Sequence, residues 1–224
     1  TIKQSSAIAR AMPDVQSKRD QRRVAIDRVG VKGITYPISL HCPATGRKQH
    51  TIASVNMYVG LPHYQKGTHM SRFLEVLNRH HEELRSDQIM NVCHDMKQRL
   101  EAEKAHLELV FTYFIQKEAP VTKSPGKLDI EVTFTCLSDE EDDFVLGIKV
   151  PATSLCPCSK EIASYGAHNQ RCLVESKVRF VEGQKMWIEE LFEIVERAAS
   201  APVFAVLKRP DEKSVTEQAY DNPK

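Results

Sequence analysis

The sequence predicts an α+β protein, because runs with the two-residue period of β-strands alternate with stretches that have the 3.6-residue period of helices. In the first part of the chain, two strand-like runs precede two helical stretches and two further strand-like runs follow. After residue 138 the strand pattern begins again, and another helical stretch follows it. A chain of 224 residues is long enough for one large domain or two smaller units.

The first strand pair is predicted over residues 34–40 and 51–61, which are rich in residues that favour strands. Pro43 and Gly46 make the segment between these runs a turn, which favours a hairpin. Residues 1–22 are polar and lack periodicity, so we expect them to form a mobile N-terminal arm.

Two amphipathic helices are predicted next. The first begins near Thr68, and its apolar residues recur at i, i+3, i+4 and i+7: Met70, Phe73, Leu74 and Leu77. The second begins after Ser86, which we predict as its N-cap. Its apolar stripe consists of Ile89, Val92, Cys93, Met96 and Leu100.

Two alternating runs then predict a second strand pair, with residues 120–126 as the connecting loop. The apolar residues of the first run are Leu107, Leu109, Phe111, Tyr113 and Ile115. Those of the second are Leu128, Ile130, Val132, Phe134 and Cys136. Cys93 and Cys136 fall on the apolar phase of their elements, and we expect both in the core.

The second part of the chain repeats the strand pattern. The acidic residues 139–143 predict a solvated turn, and residues 172–180 form a second β-like run. The apolar residues of the strand between them are Phe144, Leu146, Ile148 and Val150. A helical stripe follows, made of Ile188, Leu191, Phe192 and Val195. No second strand pair follows this helix, so we expect a partner chain or, preferably, a longer natural C-terminus to complete the sheet.

Composition excludes several classes of function. Hydrophobic residues make up 41% of the chain, charged residues 27%, and the formal net charge is +1. Nucleic acids and membrane surfaces favour a basic face, so we expect neither as a partner. We also expect no membrane span, because no apolar run approaches roughly 18 residues, and no secretory signal. Six cysteines in a chain of this length do not indicate a disulfide scaffold, which favours a reducing cytoplasm.

The most informative segment for chemistry is residues 154–171, which follow a predicted strand and contain Cys156, Cys158, His168 and Arg171. A thiolate and an imidazole ten residues apart can bind one divalent metal, since sulfur and neutral nitrogen suit zinc or a similar ion. A structural loop with incidental cysteines stays an equal alternative at this point. Cys-x-Cys is not the Cys-x-x-Cys of structural zinc sites, and no second pair of that kind is present.

Two other clusters contain charged groups. Lys66, His69 and Arg72 lie at a predicted helix start, where backbone N–H groups favour an anion. The alternative is an ordinary solvated helix start. Glu212 follows a short apolar run in residues 203–207 and is a candidate ligand or general base, with a solvated turn over residues 209–213 as the alternative.

Taken together, these clusters resemble the prokaryotic-type GTP cyclohydrolases of the IB form. The resemblance runs from Met12 to Lys224, and four motifs in order make it specific. They cover residues 65–73, 155–160, 166–171, and 207–213 together with 219–224. The family implies the tunnelling fold: two units of ββααββ type, with antiparallel sheets and helices on one face. The first unit would span residues 23–138, and the second, without its closing strands in this chain, residues 139–224.

The resemblance also implies an activity. Members of this family convert GTP to 7,8-dihydroneopterin triphosphate and formate in the synthesis of tetrahydrofolate. They use a divalent metal, zinc or manganese, with iron a further candidate, and form homotetramers with active sites between subunits. Carried over to this sequence, the catalytic metal ligands are Cys158, His168 and Glu212. From chemistry and position we add four candidates for contact with the triphosphate: Lys66, His69, Arg72 and Arg171.

Two other functions stay open on the sequence. Val174 to Lys177 resembles part of the motif of nitrile reductases of the same fold, which act on a cyano-deazaguanine with a catalytic cysteine and NADPH. The 166–171 motif favours the cyclohydrolase over that enzyme. The other alternative is a non-catalytic, metal-stabilised module that binds a purine nucleotide.

Overall fold

The computed structural model describes residues 21, 24–42, 46–181 and 183–224, in which six strands form one antiparallel sheet in the order of the sequence. The α+β class and the antiparallel arrangement are confirmed. The strands are β1 (Ile26–Cys42), β2 (Arg47–Leu61), β3 (Ala105–Glu118), β4 (Pro125–Ser138), β5 (Asp142–Leu155) and β6 (Asn169–Arg179). The helices are α1 (Met70–His80), α2 (Met90–Leu100), α3 (Pro157–Ile162), α4 (Ile188–Ala198) and α5 (Arg209–Asp221). Apart from Gln21, the predicted N-terminal arm lies outside the described residues.

The core lies between one face of the sheet and the helices. The apolar residues predicted to alternate in β3 and β4 are all buried, as is the whole predicted stripe of α2. Cys93 and Cys136 are 0% exposed, so their assignment to the core is confirmed. Full burial of one apolar side chain, from valine to phenylalanine in size, contributes roughly 1.5–3 kcal/mol to the stability of the fold. The opposite face carries polar side chains together with exposed apolar ones such as Ile52 and Leu173, and on it Lys149 of β5 pairs with Glu131 of the neighbouring β4 at 2.9 Å.

Two details of the predicted helices were wrong. The N-cap of α2 is Ile89, not Ser86, because the chain makes turns over residues 87–89 before the helix begins. In α1 the buried residues are Phe73, Val76 and Leu77. Met70 and Leu74 are 41% and 40% exposed, so the buried face of α1 lies to one side of the predicted stripe.

The antiparallel order collects the strand termini at two opposite ends of the sheet. At the acidic end, β4 ends at Ser138 and β5 begins at Asp142. At the thiol end, β5 ends at Leu155 and β6 begins at Asn169. A strand rises about 3.3 Å per residue, so the length of β5 separates the two ends by roughly 40 Å.

The thiol end has elements that the sequence did not predict. Pro157 starts the short helix α3 inside the expected loop, and α5 begins at Arg209, so the alternative of a solvated turn there was wrong. A second, smaller core lies beneath them, with Leu155, Ala201 and Ala219 buried together. These contacts fix α5 against the end of β5. None of the helices in the described ranges combines the length and the apolar character that crossing a membrane requires.

Candidate functional site

The segment between β5 and β6 forms a closed loop over residues 156–168. The backbone N–H of Cys156 donates to the carbonyl of His168 at 2.9 Å, one step beyond the last strand pair, Leu155 with Asn169. Gly166 has a φ of 69°, a left-handed conformation that glycine adopts at little cost, and it turns the chain back toward β6. The ladder and the turn together bring the segments that contain Cys158 and His168 to one exposed loop, as the sequence predicted.

Polar contacts hold this loop, because α3 buries none of its side chains. The Ser159 hydroxyl donates to the carbonyl of Cys156 at 3.0 Å and accepts the backbone N–H of His168 at 2.7 Å. Cys158 and His168 are themselves exposed. Their sulfur and nitrogen donors are therefore open to a ligand from solution.

The two thiols of the loop differ in surroundings. Cys156 is half-buried and stands at the N-cap of α3, although no side-chain hydrogen bond caps the helix. The amide and hydroxyl of Ser159, followed by the amide and thiol of Cys158, lower the pKa of the Cys156 thiol below its usual range. Since Cys158 is the exposed member of the pair, its exposure favours it over Cys156 as the metal-binding thiol.

Helix α5 joins this loop to the rest of the molecule. Lys160 of α3 donates to the carbonyl of Tyr220, and its ammonium lies 4.1 Å from the centre of the Tyr220 ring. The backbone N–H of Lys224 donates to Leu155 at 3.1 Å, and the Ser200 hydroxyl accepts the N–H of Leu155 at 3.1 Å. The end of β5 and the start of the loop are thus bound to the two segments that flank α5.

The other end of α5 is fixed by Asp211, which the sequence did not identify as a functional or structural residue. Its side chain is 0% exposed and accepts N–H bonds from Val121 at 2.9 Å, Thr122 at 2.8 Å and Lys208 at 3.0 Å. The Thr122 hydroxyl donates a further bond at 2.6 Å. Burial raises the pKa of this carboxyl, but the bonds from Thr122, Lys208 and Val121 outweigh it and hold the pKa well below the usual range. A proline and two carboxylates in the first turn are the sequence signals of such a helix start.

Glu212 follows Asp211 in the same turn and is exposed. Over the part of the chain that the structure describes, no group of three His, Cys, Asp or Glu side chains is placed to hold a metal ion. The structure therefore does not join Glu212 to Cys158 and His168. The donor types of that pair nevertheless fit zinc or a similar ion, since thiolate and imidazole are its usual ligands and a catalytic site keeps an open position.

The predicted phosphate-binding residues do not lie together. Lys66, His69 and Arg72 follow β2 at the acidic end, whereas Arg171 pairs with Thr153 near the thiol end. Arg72 donates to the carbonyl of Arg99 at 2.9 Å in the last turn of α2, where a cation stabilises the helix dipole. Of these four residues, only Arg171 lies near Cys158 and His168 in the same chain.

The acidic end holds a wide groove of about 1450 Å³. It lies between α2, the β4–β5 turn and the segment after β6, and none of the predicted site residues lines it. Its charged walls pair with each other: His94 contacts Asp142 at 2.6 Å, and Arg179 contacts Asp143 at 2.9 Å. Volume alone therefore does not mark this groove as the site.

Comparison with known proteins gives consistent matches. A family model described as "Type I GTP cyclohydrolase folE2" matches residues 12–224. The protein named "GTP cyclohydrolase FolE2" from Citrifermentans bemidjiense is 51% identical over 214 residues, which cover 96% of this chain and 79% of that protein. The protein of the same name from Geobacter sulfurreducens is 51% identical over 213 residues, covering 95% and 81%. That from Nitrosococcus oceani is 48% identical over 219 residues, covering 97% and 81%.

Proposed function

The chain belongs to the type I GTP cyclohydrolase FolE2 family, and we propose that its reaction takes place at the thiol end, in the loop over residues 156–168. The protein is a GTP cyclohydrolase, a hydrolase that opens the imidazole ring of GTP. The expected products are 7,8-dihydroneopterin triphosphate and formate, at the start of folate synthesis in the cytoplasm. One observation carries the location: backbone pairing and Ser159 hold the segments of Cys158 and His168 together in one exposed loop.

The donor set of the loop suits a metal-assisted hydrolysis. Cys158 and His168 would hold the divalent ion, zinc or manganese with iron as a third candidate, and Glu212 is the proposed third ligand. When bound, such an ion would lower the pKa of a water molecule, so that hydroxide is available near neutral pH to attack C8 of the purine. A carboxylate or imidazole at the site would move protons through the hydrolytic steps. Arg171, exposed on β6, is placed to donate charge-assisted hydrogen bonds to the triphosphate.

We further propose that a second copy of the chain completes the site. Lys66 and His69 lie at the acidic end, roughly 40 Å from the thiol end along the sheet, so they reach a nucleotide held by Cys158 only from another subunit. A homotetramer of tunnelling-fold units, the assembly implied by the family, provides such neighbours. The ββααββ order of the first six elements supports this fold.

Mixing two inactive variants tests the shared site. Cys158→Ala and the double variant Lys66→Ala with His69→Ala each lose activity as pure proteins. When the two are co-expressed with different affinity tags, assemblies that contain both regain formate release, because one interface then has both intact halves. If purified mixed assemblies stay inactive, the shared site is wrong.

The function itself is tested by two assays on the same preparation. With GTP and added Zn²⁺ or Mn²⁺ we expect formate release that a chelator abolishes and metal restores. With NADPH and a cyano-deazaguanine we expect no NADPH consumption. The opposite pair of results would identify a nitrile reductase, and GTP binding without turnover in either assay would identify a binding module. Family membership favours neither of these alternatives.

A further inference from the structure

We propose that Ser159 is a positioning residue of the metal pair, whose hydroxyl sets the distance between Cys158 and His168. This inference rests on the proposed function, in which both residues bind the divalent ion. Ser159 follows Cys158 directly in α3, and its hydroxyl reaches across the loop to the backbone of His168.

Burial of side chains does not fix the position of α3. The helix has six residues and no buried side chain, so no buried apolar contact fixes its rotation relative to β6. Its polar contacts decide where the Cys158 thiol stands. The contact of Lys160 with Tyr220 ties α3 to α5, whereas the Ser159 hydroxyl ties α3 to His168 itself.

The hydroxyl of Ser159 is used both as donor and as acceptor. The hydroxyl donates a hydrogen bond to the Cys156 carbonyl at 3.0 Å, and its oxygen accepts one from the His168 N–H at 2.7 Å. Together with the bond from the Cys156 N–H to the His168 carbonyl, these contacts close a ring around the neck of the loop. Removing the hydroxyl leaves the His168 N–H without this partner, and it lets the first turn of α3 move relative to the imidazole. Groups that orient metal ligands in this way affect metal affinity by about 10–100-fold when they are removed.

Cobalt binding provides the test, because Co²⁺ shows a sulfur-to-metal charge-transfer band when a thiolate binds it. For Ser159→Ala we expect Co²⁺ to bind about tenfold or more weakly, with a smaller charge-transfer band per bound ion. The melting temperature should stay close to that of the unaltered protein, since the hydroxyl is not part of the core. Ser159→Thr keeps the hydroxyl and should restore most of the affinity.

Ser164→Ala is the matched control, because Ser164 is an exposed serine of the same loop for which the structure shows no hydrogen bond of the hydroxyl to another described residue. Unchanged Co²⁺ affinity in Ser159→Ala, or equal losses in Ser159→Ala and Ser164→Ala, would overturn the inference. Cys158→Ala tests the metal assignment separately from the role of Ser159. If that variant keeps the charge-transfer band, the metal assignment in the proposed function fails; if only the Ser159 result fails, the metal assignment stands.

Discussion

The two ends of the sheet use their charged side chains in opposite ways. At the acidic end the groups satisfy one another: Lys104 contacts Asp139 at 2.6 Å, and His94 contacts Asp142 at 2.6 Å. At the thiol end the described residues give His168, Arg171 and Glu212 no ion pair, and all three are exposed. The acidic end has the larger groove, and the charged side chains that line it include the ion pairs His94 with Asp142 and Arg179 with Asp143.

The proposed site therefore rests on side chains that the fold leaves accessible rather than on the density of charge. An exposed ion pair contributes little and needs no further ligand. The exposed imidazole of His168 and the exposed thiol of Cys158 lie in one loop that backbone contacts hold, and both are accessible to a ligand from solution. We therefore expect large functional effects from substitutions in the loop at the thiol end and only small effects on stability from substitutions in the ion pairs of the acidic groove.

The largest effect is expected on metal affinity, when one histidine from each end of the sheet is replaced. His168→Ala should weaken Zn²⁺ or Co²⁺ binding by about 100-fold or more, because it removes a ligand atom, whereas removing only an orienting group costs about 10–100-fold. His94→Ala should leave metal affinity unchanged, since His94 pairs with Asp142 far from the loop. Competition with a chromophoric chelator measures both. A larger loss in His94→Ala would move the metal site to the acidic end.

The next largest effect concerns Asp211. Asp211→Asn replaces a fully buried acceptor of four hydrogen bonds, so we expect the melting temperature to fall by roughly 5 °C or more. Because the folded-state pKa lies below the unfolded value of about 3.9, the charged carboxylate adds stability above that pH, and this contribution is lost as the pH falls.

The difference in melting temperature between the unaltered protein and Asp211→Asn should therefore begin to shrink below roughly pH 4 and go on shrinking as the pH falls further. Thermal unfolding followed by circular dichroism across pH 3–7 measures this. A constant difference at all pH values would show that the charge of Asp211 is not the source of the effect. Glu212→Gln is the matched control, because Glu212 lies in the same turn but is exposed. Its melting temperature should equal that of the unaltered protein.

A smaller effect is expected where α3 meets α5. Lys160→Ala removes the contact with the Tyr220 carbonyl and ring, so Co²⁺ affinity should fall by roughly threefold to tenfold. Lys160→Arg keeps a donor and a cation over the ring and should stay near the unaltered value. Tyr220→Phe keeps both the carbonyl and an aromatic ring and should also bind normally. Equal affinity in Lys160→Ala and Lys160→Arg would show that the contact does not position the loop.

The smallest effect is expected at the acidic end. Burial raises the pKa of Asp142, but hydrogen bonds from Ser138 and His94 outweigh it and leave the pKa below the usual value. The pair is nevertheless partly exposed, so Asp142→Asn should cost roughly 0.5 kcal/mol, and less at high salt. Urea denaturation at low and high salt measures this change. A loss of formate release in this variant would contradict the division between the two ends.

Much of the sheet and of its core was predictable, because one face of each strand is buried and the alternation of apolar residues records this directly. Every predicted apolar residue of β3 and β4 is buried. Element boundaries were less predictable. β1 extends eight residues before the predicted start at Ile34, as far as Ile26, through a stretch that has bulges in its pairing with β2.

The candidate site was predictable in part. The spacing of Cys158 and His168 fits a metal site and a structural loop equally well, and only the family resemblance selects that pair as metal ligands. Ser159, Lys160 and Asp211 were not identified, because their contacts join segments far apart in sequence or run to backbone atoms, which no periodicity records. Arg72 shows the converse: its position at a helix start suggested an anion, but its guanidinium reaches the end of α2 instead.

The most direct test of the account is formate release from GTP by two cysteine variants with added metal. Cys172 is half-buried in β6 and donates to the Ala152 carbonyl at 3.5 Å, whereas Cys158 is exposed in the loop. We expect Cys158→Ala to lose formate release by about 100-fold or more while it stays folded, and Cys172→Ala to keep it. Near-normal formate release by folded Cys158→Ala would contradict the assignment of the reaction to the thiol end.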